Sequence, residues 1–276
     1  NATLTVNSNG GDVGRIDFND NDESEVRIQL FGEGTLDITS IGVVFVSVGS
    51  IEGDGLVLLG NNKLITGSND LSTTFSGIIQ NTGSLEKIGR GTLTLTGENT
   101  YAGGTTIEGG KLLVANQSGS ATGSGPVSVT TGALGGSGII AGAATIGTGS
   151  GTDALLAPAA GTTVQATLTI ASALTFNTNG TYTCTFRAKQ NRGRTDHVIA
   201  NGVTINNGAM IVLSGQTRGT LTQGLVLTLI SNTSANPISG AFSNLPDGSV
   251  VAINGNNFKA SYSGGDGNDL TLTVVP

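Results

Sequence analysis

The chain has 276 residues, a formal net charge of −7 and a sequence pI near 4.6, with 45 Gly, one Cys, one His, one Met and no Trp. So few sulfur and imidazole groups leave little material for nucleophilic catalysis, and the acidity disfavours nucleic acid or an anionic membrane as the main partner, since both demand clustered Lys and Arg. Only 5 Pro accompany the glycines and no three-residue period orders them, which excludes a collagen-like chain, and no apolar run reaches the roughly 18 residues of a transmembrane helix.

Strand-like runs begin at once with "ATLTV" (2–6). The first polar interruption, "DFNDNDESE" (17–25), sets Asp17, Asn19 and Asn21 at the first, third and fifth positions of a calcium loop. Asp22 then stands where such a loop needs Gly, and Ile28 where it needs a bidentate Glu, so a solvated acidic turn is the simpler reading. Short units follow: "GTLDIT" (34–39), "GVVFVSV" (42–48), "GLVLLG" (55–60), "GTLTLTG" (91–97), "GKLLVA" (110–115) and "GPVSVTTG" (125–132). Their alternation is the period of a half-buried strand, and the flanking Gly, Asn and Asp supply the positive φ of tight corners. No window carries the i, i+3, i+4, i+7 apolar spacing of a helix, so the fold expected is all-β with little or no α-helix. A sandwich usually places large aromatic anchors between its sheets. A coil of stacked rungs needs only aliphatic ladders, and Leu, Ile and Val fit that β-solenoid better. At about 20 to 25 residues per rung the chain makes about 12 rungs.

Small-residue loops at 118–125 and 147–161 precede longer strands and suggest a soft boundary near residue 160. In "TYTCTFR" Tyr182, Cys184 and Phe186 alternate with Thr, which points the lone Cys184 into a core. "RAKQNRGR" (187–194) gathers Arg187, Lys189, Arg192 and Arg194, a third of the 12 basic residues. That run reads as a hairpin or corner loop kept soluble by charge, with a patch for acidic polysaccharide as the functional alternative. His197 beside Asp196 has no nucleophile elbow to serve. Finally "GGDGNDLTL" (264–272) resembles one copy of the calcium-binding nonapeptide, which needs two, and its eighth position is Thr271 rather than a large apolar residue. Asp266 and Asp269 therefore read as turn residues. No cofactor is expected, and calcium at one of the two acidic turns is the only metal the sequence suggests.

"GRGTLTLTGENTYAGGTTIEGGKLLV" (89–114) resembles the autotransporter-associated β-strand repeat, a G-x-L-x-L-x-G-x-N-x-Y segment, a Gly-Gly-Thr-Thr corner and x-I-x-x-G-x-L-x-V. The pattern falls on Gly91, Leu93, Leu95, Gly97, Asn99, Tyr101, Gly103, Gly104, Thr105, Thr106, Ile107, Gly110, Leu112 and Val114, and the repeat covers 83–114 with a lead-in at Phe75, Ser76, Gly77 and Ile79. The segment 240–276 is similar to the end of large bacterial surface proteins that carry this repeat, with Phe242, Leu245, Pro246, Gly248, Phe258, Tyr262 and Gly264 through Asp269 in matching places. The resemblance implies a right-handed parallel β-helix exported to the cell surface or beyond, and it supplies no active site. On this reading 1–160 is β-helix containing the repeat and 161–276 is its continuation or a β-rich cap.

The expected role is that of a non-enzymatic extracellular rod, stalk or adhesin. Its partners would be a glycan or other cell-surface ligand, or further copies joined through strand edges at the two ends, which are strand-like and would make a self-assembling extracellular fibre. A β-helix polysaccharide-degrading enzyme is disfavoured, because no acids occur between Glu108 and Asp153 and sugar-stacking aromatics are scarce.

Overall fold

The computed structural model describes residues 3–8, 15–16, 22–40, 44–151, 154–160 and 164–276. Among them every regular element is a strand, and no helix is long and apolar enough to cross a membrane. The chain divides into two compact units, one of Asn1–Leu134 with Gly138–Ala143 and one of Gly135–Ser137 with Ala144–Pro276.

In the first unit successive strands pair in parallel. Thr3–Ser8 pairs with Asp22–Gly32, which pairs with Phe45–Gly53, and the series continues through Lys63–Thr66 and Ser84–Lys87 to Thr105–Val114. A second run joins Thr73–Phe75, Thr92–Leu95 and the latter half of Thr105–Val114, and a third joins Arg15–Ile16, Thr35–Asp37, Leu56–Leu58 and Ile78–Gln80. Partners recur about every 20 residues, as Leu64 opposite Leu85 or Leu93 opposite Leu112, which is the spacing of a repeat stacked on itself. Equivalent apolar residues then stand over one another: Val57 over Ile79, and Phe75, Leu95 and Val114 in one column, all buried. Each such side chain removes apolar surface from water at roughly 25 cal/mol per Å².

Close backbone approach at the corners explains the glycine content. A Cβ added at Gly77 would overlap the carbonyl oxygen of Gly55, and one at Gly97 the carbonyl oxygen of Gly77, so these positions accept no side chain. Gly110 also adopts φ 57°, a left-handed conformation, while facing the Gly91 carbonyl.

Several polar groups inside the coil are paired, some within a layer and some across layers. Asn99, 3% exposed, accepts from the Ile79 amide at 2.7 Å and donates to the Ala121 carbonyl at 2.6 Å, which ties three successive layers together. Tyr101 is fully buried, and its hydroxyl meets Thr105 Oγ1 at 2.5 Å. Lys87 is only 1% exposed, and its ammonium donates to the carbonyls of Ile88 (2.5 Å) and Gly109 (3.4 Å). Burial pushes its pKa down to about 8, with the Asp70 charge partly offsetting the shift.

The second unit keeps parallel pairing but with a longer interval of about 30 residues. Ala144–Ile146, Leu174–Phe176 and Val203–Ile205 stack in one series, Ala154–Leu156, Gly180–Lys189 and Met210–Arg218 in another, and Thr167–Ile170, His197–Ala200 and Val226–Asn232 in a third. Its core takes aromatics that the first unit largely lacks. Phe176 meets Phe242 edge-on at 5.1 Å, and Phe186 meets Phe258 at 5.4 Å. The first series adds a last parallel strand, Ser239–Gly240, whereas the third ends its parallel order at Val226–Asn232, which pairs antiparallel with Asp269–Val275. That strand in turn pairs antiparallel with Asn256–Gly264, itself the hairpin partner of Val250–Ile253. Asn254 and Gly255, both at positive φ, make the two-residue turn of this hairpin.

The interlayer role of Asn99 gives a direct test. Replacing it by alanine strands a buried amide and a buried carbonyl, each costing about 1–3 kcal/mol. Asn99→Ala is expected to lower the stability of the first unit by roughly 3 kcal/mol in urea unfolding. A loss below about 1 kcal/mol would show that water replaces the amide.

Candidate functional site

The most chemically distinctive surface lies in the second unit, around residues 187–194. Along Gly180–Lys189 the alternation buries Phe186 and Ala188 and leaves Arg187 and Lys189 exposed on the opposite face. The chain turns through Gln190, held at φ 51°, and returns as Arg192–Thr195 in antiparallel register. The expected charged hairpin is therefore present. Met210–Arg218 flanks the other side of Gly180–Lys189 in parallel.

This register arranges the cations in two rows. Arg187 lies between Arg194 and Gln216, while Lys189 lies between Arg192 and Arg218. Strand spacing puts neighbours in a row about 4.8 Å apart at Cα, and the rows about 6.7 Å apart. None of the five has an ion-pair partner among the described residues. With Gln165, Leu225 and Val226 they line an open hollow of about 860 Å³. Gly193 lines this hollow and packs tightly against its neighbour, since a Cβ there would overlap Leu227 Cδ2. A smaller hollow of about 320 Å³ shares Gln165, Gly193, Arg194 and Val226 with the first and continues past Thr167, Thr195, Thr228 and His197.

The scaffold beneath is fixed by buried polar groups. Asp196, 1% exposed, accepts from the amides of Thr185 (2.8 Å) and Ala166 (3.0 Å), which fastens the base of the hairpin to its neighbours. Its carboxylate is thus committed to backbone. Cys184 is fully buried, as its alternation predicts, with Sγ 3.3 Å from Thr195 Oγ1, and burial pushes its thiol up to about 12. His197 Nε2 instead meets Ser231 Oγ at 2.9 Å, a partner 34 residues away that no local pattern announces. Among the described residues no hydrogen bond reaches its other ring nitrogen, so the third group that orients a catalytic base is missing.

The other sequence candidates do not join this surface. Asp17, Asn19 and Asn21 lie outside the described residues. Asp266 is exposed in the turn between Asn256–Gly264 and Asp269–Val275, and Asp269 Oδ1 accepts from the Asn232 amide at 2.9 Å. Among the described residues no group of three or more His, Cys, Asp or Glu converges in the manner of a metal set. Arg218 and Gln216 are the site residues that sequence reasoning missed. They meet the hairpin only through the parallel register, about 30 residues along the chain.

Stacked parallel layers, glycine corners and interlayer asparagine bonds define an all-β repeat protein. Residues 85–114 match the family model of the passenger-associated-transport-repeat. Over 91 residues the chain is 41% identical to the adhesin BmaC autotransporter of Brucella suis biovar 1 (strain 1330), an alignment that covers 33% of this chain and 3% of that protein. The chain thus carries one match to this transport repeat and is similar, over a third of its length, to an autotransporter. It spans only a small part of the length of that relative.

The neutral state of His197 can be tested. Burial pushes its pKa below the ordinary value, with Asp269 partly offsetting, so the unfolded chain takes up the proton first as pH falls. Stability from this residue is therefore present above about pH 6.5 and lost as pH falls from there through the lowered folded value. Thermal melts should show wild type losing ground to His197→Gln between pH 7.5 and about pH 5. The opposite trend would mean that the Asp269 charge outweighs burial.

Proposed function

We propose that the chain is part of the exported passenger of a bacterial surface adhesin, a right-handed parallel β-helix that works without catalysis by presenting binding surfaces outside the cell. The observation that carries this reading is the match at residues 85–114, set in parallel layers that repeat about every 20 residues up to and through it. The similarity to an adhesin over a third of the chain supports it. Such a role needs no cofactor or metal. Its rigidity would come from the aliphatic columns and interlayer asparagine bonds, which leave the outward positions free to vary.

The test is adhesion by the purified chain alone. Beads coated with it should bind cell monolayers or extracellular matrix several-fold more than albumin-coated beads, and equal binding would refute the adhesive reading. Electron microscopy of the same preparation should show separate particles. Filaments would move the assignment to a self-assembling fibre subunit joined through strand edges.

A further inference from the structure

We infer that the face formed by Arg187, Lys189, Arg192, Arg194 and Arg218 is a binding site for an anionic polysaccharide, one bearing sulfate or carboxylate groups along a hydroxylated chain. This deepens the adhesive reading by naming a ligand class, and it is tested on purified protein so that either can fail while the other stands.

The first argument is electrostatic. Like charges directly opposite on a sheet destabilise it, yet here Arg187 faces Arg194, and Lys189 stands between Arg192 and Arg218. A solvated surface ordinarily intersperses carboxylates among its cations. Among the described residues of the hairpin and its base the one acid, Asp196, is buried and bonded to backbone amides. A local rule broken without internal compensation is the signature of a functional surface, and a bound polyanion is the compensation that fits. Guanidinium groups suit sulfate and carboxylate, because their planar forks donate two parallel hydrogen bonds.

Shape and lining select the class of polyanion. The cations border a concavity rather than a flat face, and the amides of Gln165, Asn191 and Gln216 offer donors and acceptors for hydroxyls. The adjoining hollow adds Thr167, Thr195 and Thr228 with a neutral His197, a polar and uncharged extension that suits the hydroxyl-rich parts of a sugar chain. Among the described residues no Phe, Tyr or Trp lines either hollow, so they offer no stacking platform of the kind single-stranded nucleic acid uses. Distribution of charge removes the objection from net acidity. Residues 144–276 carry six Lys and Arg against five Asp and Glu, while residues 1–134 carry six against fourteen. With a screening length of about 8 Å in physiological salt, a ligand on this face responds to the five cations beside it.

The experiment is calorimetric titration of the purified chain with heparin, polygalacturonate, neutral dextran and duplex DNA, together with thermal melts. Heparin or polygalacturonate should bind, dextran should not, and affinity should fall linearly with salt on logarithmic axes. Arg187→Gln with Arg194→Gln should weaken binding at least tenfold and flatten the salt slope by about one unit per cation removed, whereas Lys259→Gln, on a strand outside both hollows, should leave it unchanged. Because these substitutions relieve repulsion between exposed groups, the double variant should melt at or above the wild-type temperature without ligand. The polyanion should raise the melting temperature of wild type more than that of the variant. Absence of binding to both acidic polysaccharides, equal binding by the double variant, or equally tight binding of duplex DNA would each overturn the assignment.

Discussion

At Gly77 the backbone of one layer runs so close to the Gly55 carbonyl of the layer before that no Cβ fits between them, and Gly97 repeats the relation to Gly77. That approach lets strands pair in parallel after only about 20 residues, because the chain must complete its circuit and return in register within that length. Parallel strands ordinarily require a helical crossover of a dozen or more residues. Here corners of Gly and Asn replace the crossover, and the columns of Leu, Ile and Val follow from the register they enforce. Asn99 belongs to the same arrangement, since a tight corner exposes backbone groups to the interior and a side-chain amide satisfies them across two layers.

When the interval lengthens to about 30 residues, as in the second unit, the constraint relaxes. Longer circuits admit aromatic side chains such as Phe176, Tyr182 and Phe242 to the core, and they leave chain to spare for excursions. The hairpin at 187–194 is one such excursion, added to Gly180–Lys189 beyond the segment that pairs with Ala154–Leu156. Its position is set by buried partners, Phe186 against Phe258 and Asp196 against two amides. Its outward residues carry none of that structural duty, which is why a surface rich in like charge is tolerated there.

Much of this was legible locally. Alternation identified the strands and placed Cys184 in the core, and the charge run 187–194 is the hairpin its composition indicated. What escaped depended on register. Arg218 joins the basic face, and Ser231 reaches His197, only because circuits of about 30 residues bring them together, and sequence spacing does not report circuit length. The switch to antiparallel pairing near the end did leave a local mark. Asn254-Gly255 between two alternating runs is the strongest short hairpin signal, and a periodicity dominated by parallel layers obscured it.

Average charge was the least informative quantity of all. A net of −7 describes a chain whose acids lie mainly in residues 1–134, and it says nothing of a face where five cations stand on three adjacent strands. Electrostatic recognition operates within a screening length of about 8 Å, so the relevant sum runs over neighbours in register and not over the sequence. In a repeat-built protein that sum is set by circuit length, because the residues one circuit apart become adjacent on the surface. A change of one residue in a circuit would separate Lys189 from Arg218 by turning one strand's outward set inward, and would dismantle the face without removing a single charge.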